Sequence, residues 1–190
     1  PPTPHASQRN AANPRPRVWR TPHTRPRLTG STTPGSASVR ISDTITNRGD
    51  DPQEFQILYH ANYGPPLLEE GAQFVGPVKK VIPFNDHASE SIDSYSIYKR
   101  PTAGFTEQVY CMTPLADYDG RTTIGLVNRS KNKGISMKFS IQQLPFITLW
   151  KNTNSEGEGY VTGLEPGTNF PNNRRIERKF GRVPKLDSGQ

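Results

Sequence analysis

From Ala37 onward the chain alternates apolar and polar residues with a period of two. Val39, Ile41 and Ile45 alternate with Arg40, Ser42 and Thr44, the pattern of a half-buried strand. Asn47-Arg48-Gly49-Asp50-Asp51 is a turn. Phe55, Ile57 and Tyr59 resume the alternation, so the two runs are expected to form an antiparallel hairpin. Residues 61–77 are loop-like, punctuated by Gly64-Pro65-Pro66 and Gly76-Pro77. Further strands are predicted over 78–82, 107–113, 122–127, 135–139, 146–150 and 160–164. A polar, irregular excursion is predicted over 84–104. Asp119-Gly120 and Lys133-Gly134 are turn signals. No stretch beyond residue 37 keeps a 3.6-residue apolar stripe for three turns. Short strands separated by turns predict an all-β fold, an antiparallel β-sandwich or a barrel.

Composition agrees with that reading. Of 190 residues, 19 are proline and 16 glycine, and 31% are hydrophobic, which suits turns and short strands better than a helical bundle. No apolar run approaches a membrane-spanning length, so no membrane association is expected. The single cysteine, Cys111, excludes an intrachain disulfide, and its mid-strand place reads as buried packing. No Cys/His cluster has zinc spacing, and there is no Gly-rich phosphate loop, His-Glu-x-x-His helix or Gly-x-Ser-x-Gly elbow. No metal or other cofactor is expected. The start of the chain is basic and Pro-rich with no apolar segment behind it, unlike a secretory signal, and the expected location is cytoplasmic.

The net charge of +7 suggests a nucleic-acid partner until it is located. Residues 1–38 carry Arg9, Arg15, Arg17, Arg20, Arg25 and Arg27 and no acid, while the rest holds 18 basic and 17 acidic residues. Residues 1–36, with eight prolines and almost nothing to bury, are expected to be disordered. The folded part, 37–190, is nearly neutral, so no nucleic-acid binding is expected of it.

Two residues stand out chemically. Glu165 closes the run Gly159-Tyr160-Val161-Thr162-Gly163-Leu164 and precedes Pro166-Gly167, where proline is expected to stop the ladder. A carboxylate at a strand end, opening to a loop, is placed to act as a general base. Taken alone, its spacing fits an ordinary solvated glutamate at a turn better. His60 lies where a predicted strand meets a loop and can exchange a proton near neutral pH; alone, it reads as a structural histidine. Together they form an acid–base pair suited to ring opening. Trp150 is a candidate stacking platform for a sugar, and Glu107 a further polar candidate.

Four blocks carry a resemblance: Tyr59-His60-Ala61-Asn62-Tyr63-Gly64-Pro65-Pro66-Leu67-Leu68, Gly104-Phe105-Thr106-Glu107-Gln108-Val109-Tyr110, Leu149-Trp150-Lys151-Asn152-Thr153, and Gly159 to Pro171 with its Leu164-Glu165-Pro166-Gly167-Thr168-Asn169-Phe170 core. They resemble the galactose mutarotase-like (aldose 1-epimerase) superfamily, and most of all an uncharacterised branch of unknown function. The resemblance implies a supersandwich of antiparallel strands that binds carbohydrate. It implies Glu165 as base and His60 as acid of an aldose 1-epimerase-like isomerase, with Glu107, Asn62, Trp150 and Asn169 around the sugar. A non-catalytic carbohydrate-binding module, or an inactive fragment, is the alternative. Glu107 departs from the Asp-His pair of mutarotases, which leaves the sugar open. The resemblance covers about residues 37–190 and only the C-terminal part of such a domain. Neither the sugar nor the oligomeric state follows from the residues.

Overall fold

In the computed structural model of the protein, residues 24–190 are described. They fall into two compact units: residues up to Gln53 with Asp187–Gln190, and Glu54–Leu186.

In the first unit, β1 (Thr24–Ser31) and β2 (Arg40–Asn47) pair antiparallel, from Thr24 opposite Asn47 to Ser31 opposite Arg40. The expected strand over 39–45 is present from Arg40 onward, but Val39 and Ile41 are exposed rather than half-buried, and its partner precedes it. The proposed hairpin with 55–59 does not form. Residues 24–31 belong to the stretch expected to be disordered, and there the ladder with β2 supplies backbone hydrogen bonds that composition does not announce. Residues 1–23 of that stretch lie outside the described residues. The turn after β2 is an Asx type: the Asn47 side chain accepts from Gly49 N–H and donates to Asp51 O. Residues 53–54 form β3 (Gln53–Glu54).

The second unit carries strands β4 (Ala61–Tyr63), β5 (Gln73–Val75), β6 (Val78–Pro83), β7 (Gln108–Pro114), β8 (Arg121–Val127), β9 (Gly134–Ser140), β10 (Phe146–Asn152) and β11 (Val161–Gly167), then β12 (Lys185–Leu186). Two short helices, α1 (Asp86–Ser89) and α2 (Arg174–Lys179), interrupt them. A five-stranded sheet runs β4-β11-β10-β7-β6 and a three-stranded sheet β5-β8-β9, with antiparallel pairing throughout. The expected all-β antiparallel sandwich is the observed fold.

Period-two alternation decides which face of each sheet is buried. On one face of the large sheet, Tyr110, Met112, Ile147, Leu149 and Leu164 are fully buried. They join Phe74 of β5 and Ile124 and Leu126 of β8 in one core, with Ile135, Met137 and Phe139 of β9 against it. Each such side chain contributes about 1.5–3 kcal/mol by leaving water. The irregular stretch 84–104 is tied to this core. Lys151 Nζ donates to Tyr95 O and Ile97 O, and Tyr160 Oη donates to Lys99 O. Tyr98 is fully buried and hydrogen-bonded to Thr162 Oγ1.

Two local expectations need correction. The segment 55–59 is extended but makes no regular ladder. Tyr59 N–H donates to Pro166 O, Ile57 N–H to Thr168 Oγ1, and Leu58 bridges Gly167. Pro166 accepts there and has no N–H to return. Conversely, β11 does not stop at Glu165: Pro166 pairs with Ile147 and Gly167 with Phe146. Proline is tolerated because the ladder to β4 reaches only to Leu164 opposite Ala61, leaving the other side of β11 without a regular neighbour at residue 166.

Candidate active site

The opposite face of the five-stranded sheet carries Glu165, Thr148 and Trp150. Register places Glu165 opposite Thr148 and Gly163 opposite Trp150 on the β10 side. Asn62 of β4 lies opposite Gly163 on the other side. Thr148 and Trp150 in turn face Cys111 and Val109 of β7.

Glu165 is buried, and His60, just ahead of β4, holds its Nε2 3.0 Å from Glu165 Oε1. The His60 side chain is 50% exposed and that of Glu165 4%, so the pair has a wet end and a dry end. The contact lies within ion-pair distance but lacks hydrogen-bond alignment, and Oε1 is left without a hydrogen-bond partner among the described residues. Burial raises the Glu165 carboxyl above the usual range; nearby His60 pulls it down, and the Glu107 carboxylate pushes it up again. The upward effects prevail. A carboxylate so raised is a stronger base than one in water, as proton abstraction requires.

Glycine makes the room for this carboxyl. A Cβ built at Gly163 would collide with Glu165 Oε1 and lie 3.1 Å from its Cδ. Gly163 is thus a site residue that sequence reasoning missed. Its signal was its place two residues before Glu165, on the same face of one strand.

Trp150 and Glu107 are also brought into the site. Trp150 Nε1 donates to Glu107 Oε2 at 2.7 Å, and the indole meets the His60 ring edge-on at 5.7 Å between centroids. A continuous row therefore runs Glu165, His60, Trp150, Glu107. Asn62 is exposed at its rim. Asn169 is different: it is buried, its Nδ2 donates to Phe170 O, and its Oδ1 accepts from Thr168 Oγ1. Its side chain is occupied within its own loop. Cys111 is buried, and burial pushes its thiol up to about 12, as packing rather than nucleophilic use requires.

A second buried polar cluster was not foreseen. Glu177 of α2 is fully buried and accepts from Arg182 Nε and Nη2, Asn172 Nδ2 and Phe170 N–H. Burial alone would raise its carboxyl, but these bonds outweigh it and hold it low. Arg182 also lies over the Phe170 ring. The cluster anchors the segment that follows β11. Among the described residues no group of three His, Cys, Asp or Glu side chains gathers to hold a metal, and no helix is long and apolar enough to cross a membrane.

Residues 20–190 match a family described as a domain of unknown function, DUF4432. The chain belongs to that family. The DUF4432 match begins inside the basic stretch, ahead of the boundary expected at residue 37. The crystal structure of a candidate aldose 1-epimerase from Klebsiella pneumoniae subsp. pneumoniae MGH 78578 is 41% identical to this DUF4432 chain, with a TM-score of 0.88. The likeness covers 90% of this chain and 45% of that one, so this chain spans under half that protein's length. No match is found among the curated proteins. The DUF4432 chain has the galactose mutarotase-like β-sandwich fold.

Proposed function

We propose that the protein acts on carbohydrate and interconverts the anomers of an aldose or aldose derivative, with Glu165 as base and His60 as acid. The observation that carries this reading is the contact of a buried, base-strengthened carboxylate with a half-exposed imidazole at 3.0 Å. The likeness to the candidate aldose 1-epimerase gives it independent support.

The chemistry follows from the hemiacetal. Glu165 takes the proton of the anomeric hydroxyl, and protonated His60 gives one to the ring oxygen. The C1–ring-oxygen bond breaks as the C1 carbonyl forms. Rotation about C1–C2 exposes the other carbonyl face, and ring closure reverses both transfers. The two oxygens are bonded to the same carbon, so acid and base must stand side by side, as His60 and Glu165 do. Oxidation state does not change, so the step calls for acid and base alone. Trp150, fixed by Glu107, offers an apolar ring for the C–H face of the sugar, with Asn62 at the rim.

The test is anomer exchange followed by proton NMR across a panel of aldoses and their derivatives. Acceleration by the chain on at least one sugar is expected. A second reading, a carbohydrate-binding module without catalysis, is favoured by the lack of a hydrogen bond between His60 Nε2 and Glu165 Oε1 despite their 3.0 Å approach. Calorimetric binding of a sugar whose anomer exchange is not accelerated would select it. Neither binding nor exchange across the panel would refute both.

A further inference from the structure

Glu165 stands between two flanks. On the β4 side is His60. On the β10 side, directly opposite in register, is Thr148. Above and below it on its own strand are Gly163 and Gly167, neither of which has a side chain to offer. Thr148 is 1% exposed, and its Oγ1 is a fully buried atom with no hydrogen-bond partner among the described residues. Glu165 Oε1 also lacks a hydrogen-bond partner among the described residues, with His60 Nε2 3.0 Å away but not aligned for a bond. Directly opposed residues on adjacent antiparallel strands have Cβ atoms about 5 Å apart, within reach of a hydroxyl-to-carboxyl bond after side-chain rotation. A buried hydroxyl and a buried carboxyl left unmatched side by side call for an explanation.

The other polar groups around Glu165 do not supply that bond. Trp150 Nε1 is committed to Glu107. Cys111, next in the row beyond Thr148, offers only a weak S–H donor. The hydroxyl of Thr148 is the uncommitted buried donor on the strand position facing Glu165.

We propose, resting on the base role given to Glu165, that Thr148 is its positioning residue: its hydroxyl donates to the Glu165 carboxylate and holds it over Gly163 toward His60. Thr148 touches neither the sugar nor the reacting atoms and acts through Glu165. A hydrogen bond to the ionised form favours that form, so the hydroxyl keeps the buried carboxyl from being raised so far that it fails to ionise. It also fixes the direction in which the free lone pair points.

The measurement is a titration of the Glu165 carboxyl carbon by NMR in the isotope-labelled 190-residue chain, with the signal assigned by its loss in Glu165→Gln. Thr148→Val keeps shape and burial while removing the donor, and Thr148→Ser keeps the donor. Thr148→Val is expected to raise the midpoint by about one pH unit. Thr148→Ser is expected to restore the wild-type midpoint. The same spectra report whether each variant is folded, and Thr148→Ala, which also removes the donor, carries the test if valine does not fold. A wild-type midpoint in folded Thr148→Val, or a serine variant displaced as far as the valine one, overturns the proposal. This readout needs no activity. If the midpoint moves while no variant exchanges anomers, the catalytic reading fails and the positioning role stands. If anomers exchange while the midpoint stays, the positioning role alone falls.

Discussion

Gly163→Ala is the smallest change that reaches the site. The added methyl would occupy the space of Glu165 Oε1 and lie 3.1 Å from Cδ and 3.2 Å from Cγ. The backbone at Gly163 is not in the left-handed region, so alanine meets no conformational strain. The clash is with the far end of a flexible side chain, and Glu165 must swing away to relieve it. Overpacking costs about 1–3 kcal/mol, toward the low end where the neighbour yields. Alanine in place of glycine also restricts the unfolded chain, which offsets about 0.4–1 kcal/mol. Net stability in urea denaturation should therefore stay within about 1 kcal/mol of wild type. The swing ends the 3.0 Å approach of Oε1 to His60 Nε2. A misplacement of about 1 Å costs on the order of 100-fold in rate. Anomer exchange should fall by about that factor, with stability nearly unchanged. Wild-type exchange in the alanine variant would refute the placement of the carboxyl over Gly163.

The remaining structural features give further predictions. Arg182→Met leaves Glu177 fully buried and deprived of its cation, and should cost about 3–5 kcal/mol in denaturant melts. Because the Glu177 carboxyl is held low, its contribution is present above the unfolded carboxylate range and lost as pH falls through the folded value, so the gap between variant and wild type should close in acid. Burial pushes Lys151 down to about 7, with Lys99 adding to the effect, so the unfolded chain binds more protons than the folded one between about pH 7 and 10.5. Wild-type stability should gain from this group as pH rises through that window. Lys151→Met should remove that gain, and by stripping Tyr95 O and Ile97 O of their donor it should cost about 2 kcal/mol at the alkaline end. Melts of the two proteins at pH 6, 8 and 10, compared at each pH, check both the sign and the size.

The strands with strict alternation were legible from the chain alone. Ile135, Met137 and Phe139 turn toward the core while Ser136 and Lys138 turn away, because period two is the period of the pleat. Pairing was less legible. Nothing in the pattern of Val39, Ile41 and Ile45 says that the partner strand is 24–31 rather than 55–59, since register is decided by contacts distant in sequence. Pro166 misled because it usually ends a ladder; its tolerance depends on how far β4 extends, which is not local information. In the site, Glu165 and His60 came from strand-end placement and from the flanking blocks, and they meet. Gly163 and Thr148 were missed because a glycine and a threonine in a strand carry no chemical flag until the register shows what they face. Glu177 and Arg182 lie five residues apart in a polar stretch that looks solvent-exposed, and only the fold shows that the glutamate is buried.

In the proposed reaction the buried carboxylate of Glu165 takes a proton from a sugar hemiacetal. The most direct measurement is the anomer-exchange rate, by proton NMR at neutral pH, of wild type and Glu165→Gln on the same sugar. Gln fills the same space and cannot accept the proton, and loss of a positioned base costs about 100- to 10,000-fold. A base at Glu165 gives a wild-type acceleration that Glu165→Gln loses by at least about 100-fold. An exchange rate in Glu165→Gln equal to that of wild type would contradict it.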